Sequence, residues 1–283
     1  VRNSPLRVSV HGGHSGQFCH HAKDSLEAVV QAYIAAGFSW VGITEHMPPP
    51  SDQWRYPDEA ASGIAAAVLQ AQFRQYFTEC QRLREQYKDS IRLFCAFETE
   101  TFAGSAAFVR ELIAQTRPDY IVGSVHHVAG IGIDVNAELY LQATAKAGGL
   151  QALYCAYFDA QHDMLQDLRP AVVGHFDLIR IFDPDYLNTL QVPAVWQRVE
   201  RNLAFCAQNQ LIVDFNLRGF DKSTEQYPSM PVLKRALELG ASIVPGDDSH
   251  GVNSVGRNYD RGIALLRELG HDCHWREPKL YGW

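Results

Sequence analysis

Seven short apolar runs recur along the chain, and between them apolar residues fall at three- and four-residue spacing. The runs are "LRVSV" (6–10), "SWVGIT" (39–44), "IRLFCAF" (91–97), "YIVGSV" (120–125), "AVVGHF" (171–176), "LIVDFN" (211–216) and "ASIVPG" (241–246). Continuous apolar runs of this length predict strands buried on both faces, the pattern of a parallel sheet covered by helices. The first helical pattern, "DSLEAVVQAYIAAGF", opens on an Asp-Ser cap signal and stops at Gly37. Others fall at 63–88 and near 104–115, 148–168, 195–209, 230–239 and 258–269. Strands alternating with helices predict an α/β fold of repeated βα units. The longest loop signal is the proline-rich segment 47–63, of a length that usually serves as a lid or edge. With no linker, repeat or low-complexity tract to divide it, residues 1–283 read as one domain.

The polar residues are informative by position. Each apolar run ends, at its carboxyl end, in a ligand-type side chain: His11, then Glu45 and His46, then Glu98, then His126 and His127. His175, Asn216, and the group Asp247, Asp248 and His250 complete the series. In a parallel barrel all carboxyl ends converge on one face, where such enzymes place their chemistry. This favours a closed barrel over an open doubly wound sheet. His20, His127 and Glu100 adjoin better-placed neighbours and read as ordinary residues, while His162, His271 and His274 read as surface positions.

Gathering so many ionisable groups without a partner would cost several kcal/mol for each, which predicts cations among them. Imidazoles mixed with carboxylates, without thiolates, suit zinc, manganese or iron. The donors exceed what one ion can use, so two or three divalent ions are expected, with Glu98 as a bridge. Clustered ions of this kind serve hydrolysis, and a phosphoester is the favoured substrate. Arg180 and Arg218, each just beyond a strand end, predict a guanidinium clamp on phosphate.

Net charge is −7, so the surface as a whole repels nucleic acid, and a bound anion needs a local positive field. Neither GxGxxG nor GxxxxGK[ST] follows the first strand, which argues against a nucleotide-binding open sheet. The six cysteines are scattered with no CxxC, so buried thiols in a reducing cytoplasm are expected, and Cys19 alone merits a weak suspicion of metal binding. The opening stretch lacks the segments of a signal peptide, and no apolar run is long enough to span a bilayer. The expected partner is a small phosphate ester, with no nucleic acid and no membrane; oligomeric state is left open.

These residues resemble the PHP superfamily, and more narrowly its histidinol-phosphate phosphatase branch. The resemblance covers nearly the whole chain through "HSGQFCHHAKDSLE" (14–27), "ITEHMP" (43–48), "FETE" (97–100), "GSVHHVAGIGID" (123–134), "VVGHFDLIRIF" (172–182), "FNLR" (215–218) and "DDSHG" (247–251). It implies a distorted seven-stranded (β/α)7 barrel that binds up to three metal ions. By motif, the opening histidines His11 and His14 would join Glu98 and Asp248 on one ion. Glu98 would bridge to a second held by His126 and His175, and His21, His46 and His250 would hold a third. Arg180 and Arg218 match the phosphate positions. The implied activity is hydrolysis of L-histidinol phosphate by an activated hydroxide, with Asp248, His250 or a metal-bound water open as the proton source for the leaving group. Alternatives are a PHP phosphoesterase for a nucleotide or another ester, or a metal-binding protein without turnover. The family opens with His-x-His, whereas this chain has His11-Gly12-Gly13-His14. A one-residue bulge at the glycines is expected to bring His11 back to the metal face.

Overall fold

The computed structural model describes residues 5–283; residues 1–4, where the reading of the amino end begins, lie outside it. Among the described residues nine strands form: β1 (Arg7–Ser9), β2 (Phe38–His46), β3 (Arg92–Glu98), β4 (Ile121–Gly123), β5 (His127–Val128), β6 (Ile131–Gly132), β7 (Val172–Val173), β8 (Ile212–Asn216) and β9 (Ser242–Gly246). Seven of them make one parallel sheet in the order β1-β2-β3-β4-β7-β8-β9. Just past β1, Val10 N donates to Pro245 O at 2.9 Å and brings the last strand to the first, so the sheet curls into a nearly closed barrel. β5 and β6 form a separate antiparallel hairpin.

Around the barrel run α1 (Leu26–Ala35), α2 (Pro57–Ala61), α3 (Ala66–Gln86), α4 (Ser105–Thr116), α5 (Ala137–Ala147) and α6 (Leu150–Leu168). They are followed by α7 (Tyr186–Gln191), α8 (Pro193–Gln208), α9 (Gly219–Lys222), α10 (Met230–Glu238) and α11 (Tyr259–Glu268). Ser25 caps α1 by accepting from Ala28 N, as the Asp-Ser signal predicts. The pattern at 148–168 is one helix, α6, preceded by α5, which the sequence reading leaves out. The two are separated by Gly148 and Gly149, both at positive φ, where a side chain would be strained. Within the loop at 47–63 lie the short α2 and a 3-10 turn. No helix among the described residues is long and apolar enough to cross a membrane.

Side chains of a strand alternate between two faces, and here both faces are buried. Val8, Val10, Trp40, Phe94, Ala96, Tyr120, Val122, Val172, Ile212 and Val244 fill the barrel. Val41, Ile43, Leu93, Phe97, Val213, Phe215 and Ile243 pack outward among the helices. Following the inward positions up each strand in steps of two leads from Trp40 to His46, from Phe94 to Glu98, from Ile212 to Asp214 and Asn216, and from Val244 to Gly246 and Asp248. The same alternation that packs the core thus carries the polar residues to the carboxyl end of the barrel.

Candidate metal centre and active site

Glu98 stands at the centre of the polar cluster, 1% exposed, at the end of β3. Parallel register sets it beside His46 of β2. Its Oε2 lies 3.3 Å from His11 Nε2, 3.2 Å from His46 Nδ1 and 3.9 Å from His14 Nε2. Its Oε1 lies 2.8 Å from His175 Nε2 and 3.4 Å from His126 Nε2. His126 and His175 approach each other at 3.2 Å between their Nε2 atoms. Asp248 Oδ1 is 3.3 Å from His14 Nε2, and the donor atoms of His21, His46 and His250 all lie within 4.8 Å of one another.

All nine residues expected as metal ligands therefore meet at one end of the barrel. Five buried imidazole nitrogens there have no hydrogen-bond partner: His11 Nε2, both nitrogens of His14, His46 Nδ1 and His175 Nδ1. Orphaned nitrogens at such density are what coordinating positions leave behind, and the donor set fits metal ions. Burial favours the neutral acid at Glu98, Glu100 and Asp248. The surrounding imidazoles, and Arg218 at Asp248, outweigh it and hold all three well below the carboxylate range. Burial likewise opposes charge on His11 and His126, but adjacent carboxylates raise both well above the usual imidazole value. His14 instead falls to about 4, through burial and the neighbouring charge of His46. The negative potential that raises His11 and His126 is equally available to a metal cation.

The His11-Gly12-Gly13-His14 segment answers its own question. Both imidazoles are fully buried, with ring centroids 5.9 Å apart, and both face Glu98. The strand has already ended at Ser9, and the register irregularity between β1 and β2 falls at Arg7 and Val8, before the glycines. Neither glycine adopts positive φ. What they supply is space: a Cβ on Gly12 would lie 2.5 Å from Val41 Cγ2, and one on Gly13 2.5 Å from Val29 Cγ1. His11 reaches the cluster through close backbone approach rather than the expected bulge at the glycines.

Outer carboxylates orient the imidazoles. His11 Nδ1 donates to Asp214 Oδ2 at 2.9 Å, and His126 Nδ1 donates to Glu100 Oε2 at 2.9 Å. Each pairing turns the other ring nitrogen toward Glu98, the arrangement by which outer-shell carboxylates fix a ligand's tautomer. Tyr56, from the loop at 47–63, donates to Glu100 Oε1 at 2.6 Å and docks that loop on the site. Glu45 lies 3.8 Å from His14 and accepts from Ser15 N and Oγ; burial pushes its carboxyl up to about 7 against those bonds. Asp214 and Glu100 are the residues that sequence reasoning missed. Asp214 is signalled only by its parity with Ile212 and Asn216 inside an apolar strand.

The two arginines are not brought together. Arg218 lines the cavity, with Nη1 3.3 Å from Asp248 Oδ1 and against the His250 ring. Arg180 does not line it: its guanidinium is buried, donates to Ser223 Oγ and to the carbonyls of Glu225 and Gln226, and lies over the Tyr227 ring. The two-arginine clamp is corrected to one cavity-facing arginine, joined there by Lys222. His20 is exposed; the Cys19 sulfur lies within 4.8 Å of donor atoms of His14 and His46, but burial and Glu45 raise its thiol well above the usual value, which disfavours a thiolate ligand. The cavity above the cluster measures about 320 Å³, at the small end of ligand sites.

A nearly closed seven-stranded parallel barrel with this histidine–carboxylate cluster at its carboxyl end defines a class, and the chain belongs to the PHP domain family, which matches residues 12–218. It is 36% identical over 270 residues to the "Probable histidinol-phosphatase" of Schizosaccharomyces pombe, covering 94% of this chain and 87% of that one. It is 27% identical to the histidinol-phosphatase of Saccharomyces cerevisiae, over 95% and 92% of the two chains. Among solved structures, HisK of Listeria monocytogenes superposes with a TM-score of 0.78 at 25% identity, covering 90% of this chain and 99% of that one. HisK of Lactococcus lactis, solved with zinc, L-histidinol and phosphate, gives 0.71 at 22% identity over 99% and 100%; at that identity the likeness speaks for the fold.

Proposed function

We propose that this chain is a metal-dependent phosphomonoesterase that hydrolyses L-histidinol phosphate to L-histidinol and phosphate. The observation that carries the reaction class is the shared Glu98, with both oxygens facing imidazoles and five orphaned imidazole nitrogens around it. The relatives named histidinol-phosphatase, similar over nearly their full length, support the substrate.

Three donor groups, the first two sharing Glu98, would hold the ions: His11, His14, Glu98 and Asp248; Glu98, His126 and His175; and His21, His46 and His250. Zinc, manganese and iron all accept these donors. When bound, such ions lower the pKa of water and neutralise charge on the phosphoryl oxygens. The protein's own residues do the rest. Asp214 and Glu100 fix His11 and His126 in their ligating orientation. Arg218 and Lys222 face the cavity and would steady the phosphoryl oxygens as charge builds on them. Asp248, held ionised, is placed to take a proton from the attacking water, with His250 beside it at 3.5 Å. Returning that proton to the departing alkoxide leaves the free hydroxyl of histidinol and inorganic phosphate. Arg180 serves the wall, tying the turn at 223–226 behind Tyr227.

Metal-replete protein should release phosphate from histidinol phosphate with a kcat/KM well above that for a nucleoside monophosphate or a bis-aryl phosphodiester. A higher rate on the diester would overturn the substrate reading.

A further inference from the structure

The cavity carries four carboxylates, and three have evident employment. Glu98 and Asp248 belong to the cluster, and Asp58 is half exposed beside His21 at 3.9 Å. The fourth, Asp134, has a buried Oδ1 with no hydrogen-bond partner and makes no ion pair within 4 Å among the described residues. A carboxylate oxygen left dry and unpaired is costly, and a cation delivered by a ligand would compensate it.

Its position is built rather than incidental. The chain leaves the metal ligand His126, forms the β5–β6 hairpin, and returns so that Ile133 N donates to His126 O at 2.9 Å. That bond sets Asp134 on the cavity wall beside the cluster. Around it the wall is aromatic and apolar: Tyr56, Val135, Leu178 and Tyr227. The Tyr227 hydroxyl is also buried without a partner. A flat, partly apolar group bearing a protonated nitrogen matches this wall, while Arg218 and Lys222 supply the positive field for its phosphate.

We infer that Asp134 is the specificity-determining residue for the alcohol half of the substrate, accepting a hydrogen bond from its protonated nitrogen and selecting cationic phosphomonoesters over neutral ones. This rests on the phosphomonoesterase reading above. A site built to bond a polar group rejects analogues that lack it, because its own group is then left unpaired.

The test compares the metal-loaded full chain with its Asp134→Asn and Asp134→Ala variants on three esters. These are histidinol phosphate, its deaminated analogue, which keeps the ring, and p-nitrophenyl phosphate, which has no cation. Both variants should lower kcat/KM for histidinol phosphate about ten- to hundredfold more than for p-nitrophenyl phosphate. The Kd for L-histidinol, read by calorimetry without turnover, should rise in the same proportion. If the deaminated analogue follows histidinol phosphate, the ring nitrogen is the partner; if it follows p-nitrophenyl phosphate, the amine is. Equal losses on cationic and neutral esters, or unchanged binding of L-histidinol, would overturn the inference. Should the unaltered protein hydrolyse other monoesters but not histidinol phosphate, the substrate reading fails. The inference is then decided by 2-aminoethyl phosphate against p-nitrophenyl phosphate, where equal losses would sink it.

Discussion

Glu98 is the residue on which the centre turns, because one carboxylate faces five imidazoles, from three separate strand ends and the segment after β1. Replacing it with glutamine keeps the shape and removes the charge. Glu98→Gln should therefore release bound metal and lower kcat by more than about a hundredfold, read by elemental analysis beside phosphate release. Unaltered metal content would remove Glu98 from the role given it. Asp214 acts one step further out, through His11, and Asp214→Asn should weaken metal affinity or activity by about ten- to hundredfold; metal titration of the apoprotein measures it. The difference in legibility between these residues has a physical cause. Glu98, His126 and His175 end apolar runs, so position alone exposes them. Asp214 lies within "LIVDFN", where only the inward parity of alternate residues marks it, and Glu100 becomes recognisable only once Tyr56 and His126 are brought to it.

At the scale of elements, the strand ends point the chemistry and the segments after them finish it. The runs at 120–125 and 171–176 are as apolar as the others, yet β4 and β7 pair over only three and two residues. After β7 the chain bends at His175, which at φ 20° aims its ring back at Glu98 while its backbone N donates to Asp214 at 3.3 Å. Apolar content predicts burial, and it does not predict where pairing stops. The arginines show the same limit: both follow strand ends, but Arg180 sits in a 3-10 segment folded inward, whereas Arg218 opens α9 at the cavity. Arg180→Ala should cost about 3–5 kcal/mol of stability, measured by denaturant unfolding, because it strips buried carbonyls and Asp177 of their partner. Arg218→Ala should leave stability nearly intact and raise KM for the phosphate ester. A reversed pattern would return Arg180 to the phosphate.

Over the whole molecule the net charge is −7, and Arg218 and Lys222 are the cationic side chains that line the cavity above the cluster. The barrel architecture was open to sequence reading because seven two-sided apolar runs allow few other folds; the β5–β6 hairpin and α5 were not, being short or masked by the glycines beside them. Metal also bears on the fold. Ions bound to the folded chain alone add RT ln(1 + [L]/Kd), about 2.7 kcal/mol at a hundredfold excess over Kd. Chelation should thus lower Tm by about 5–10 °C, reversibly.

The most direct measurement loads the chelated protein stepwise with zinc or manganese while following bound metal and histidinol phosphate hydrolysis together. The predicted result is no turnover without metal and a rise to a plateau at two to three ions per chain. Turnover that survives complete removal of metal, or a fully loaded protein that releases no phosphate, would contradict the account.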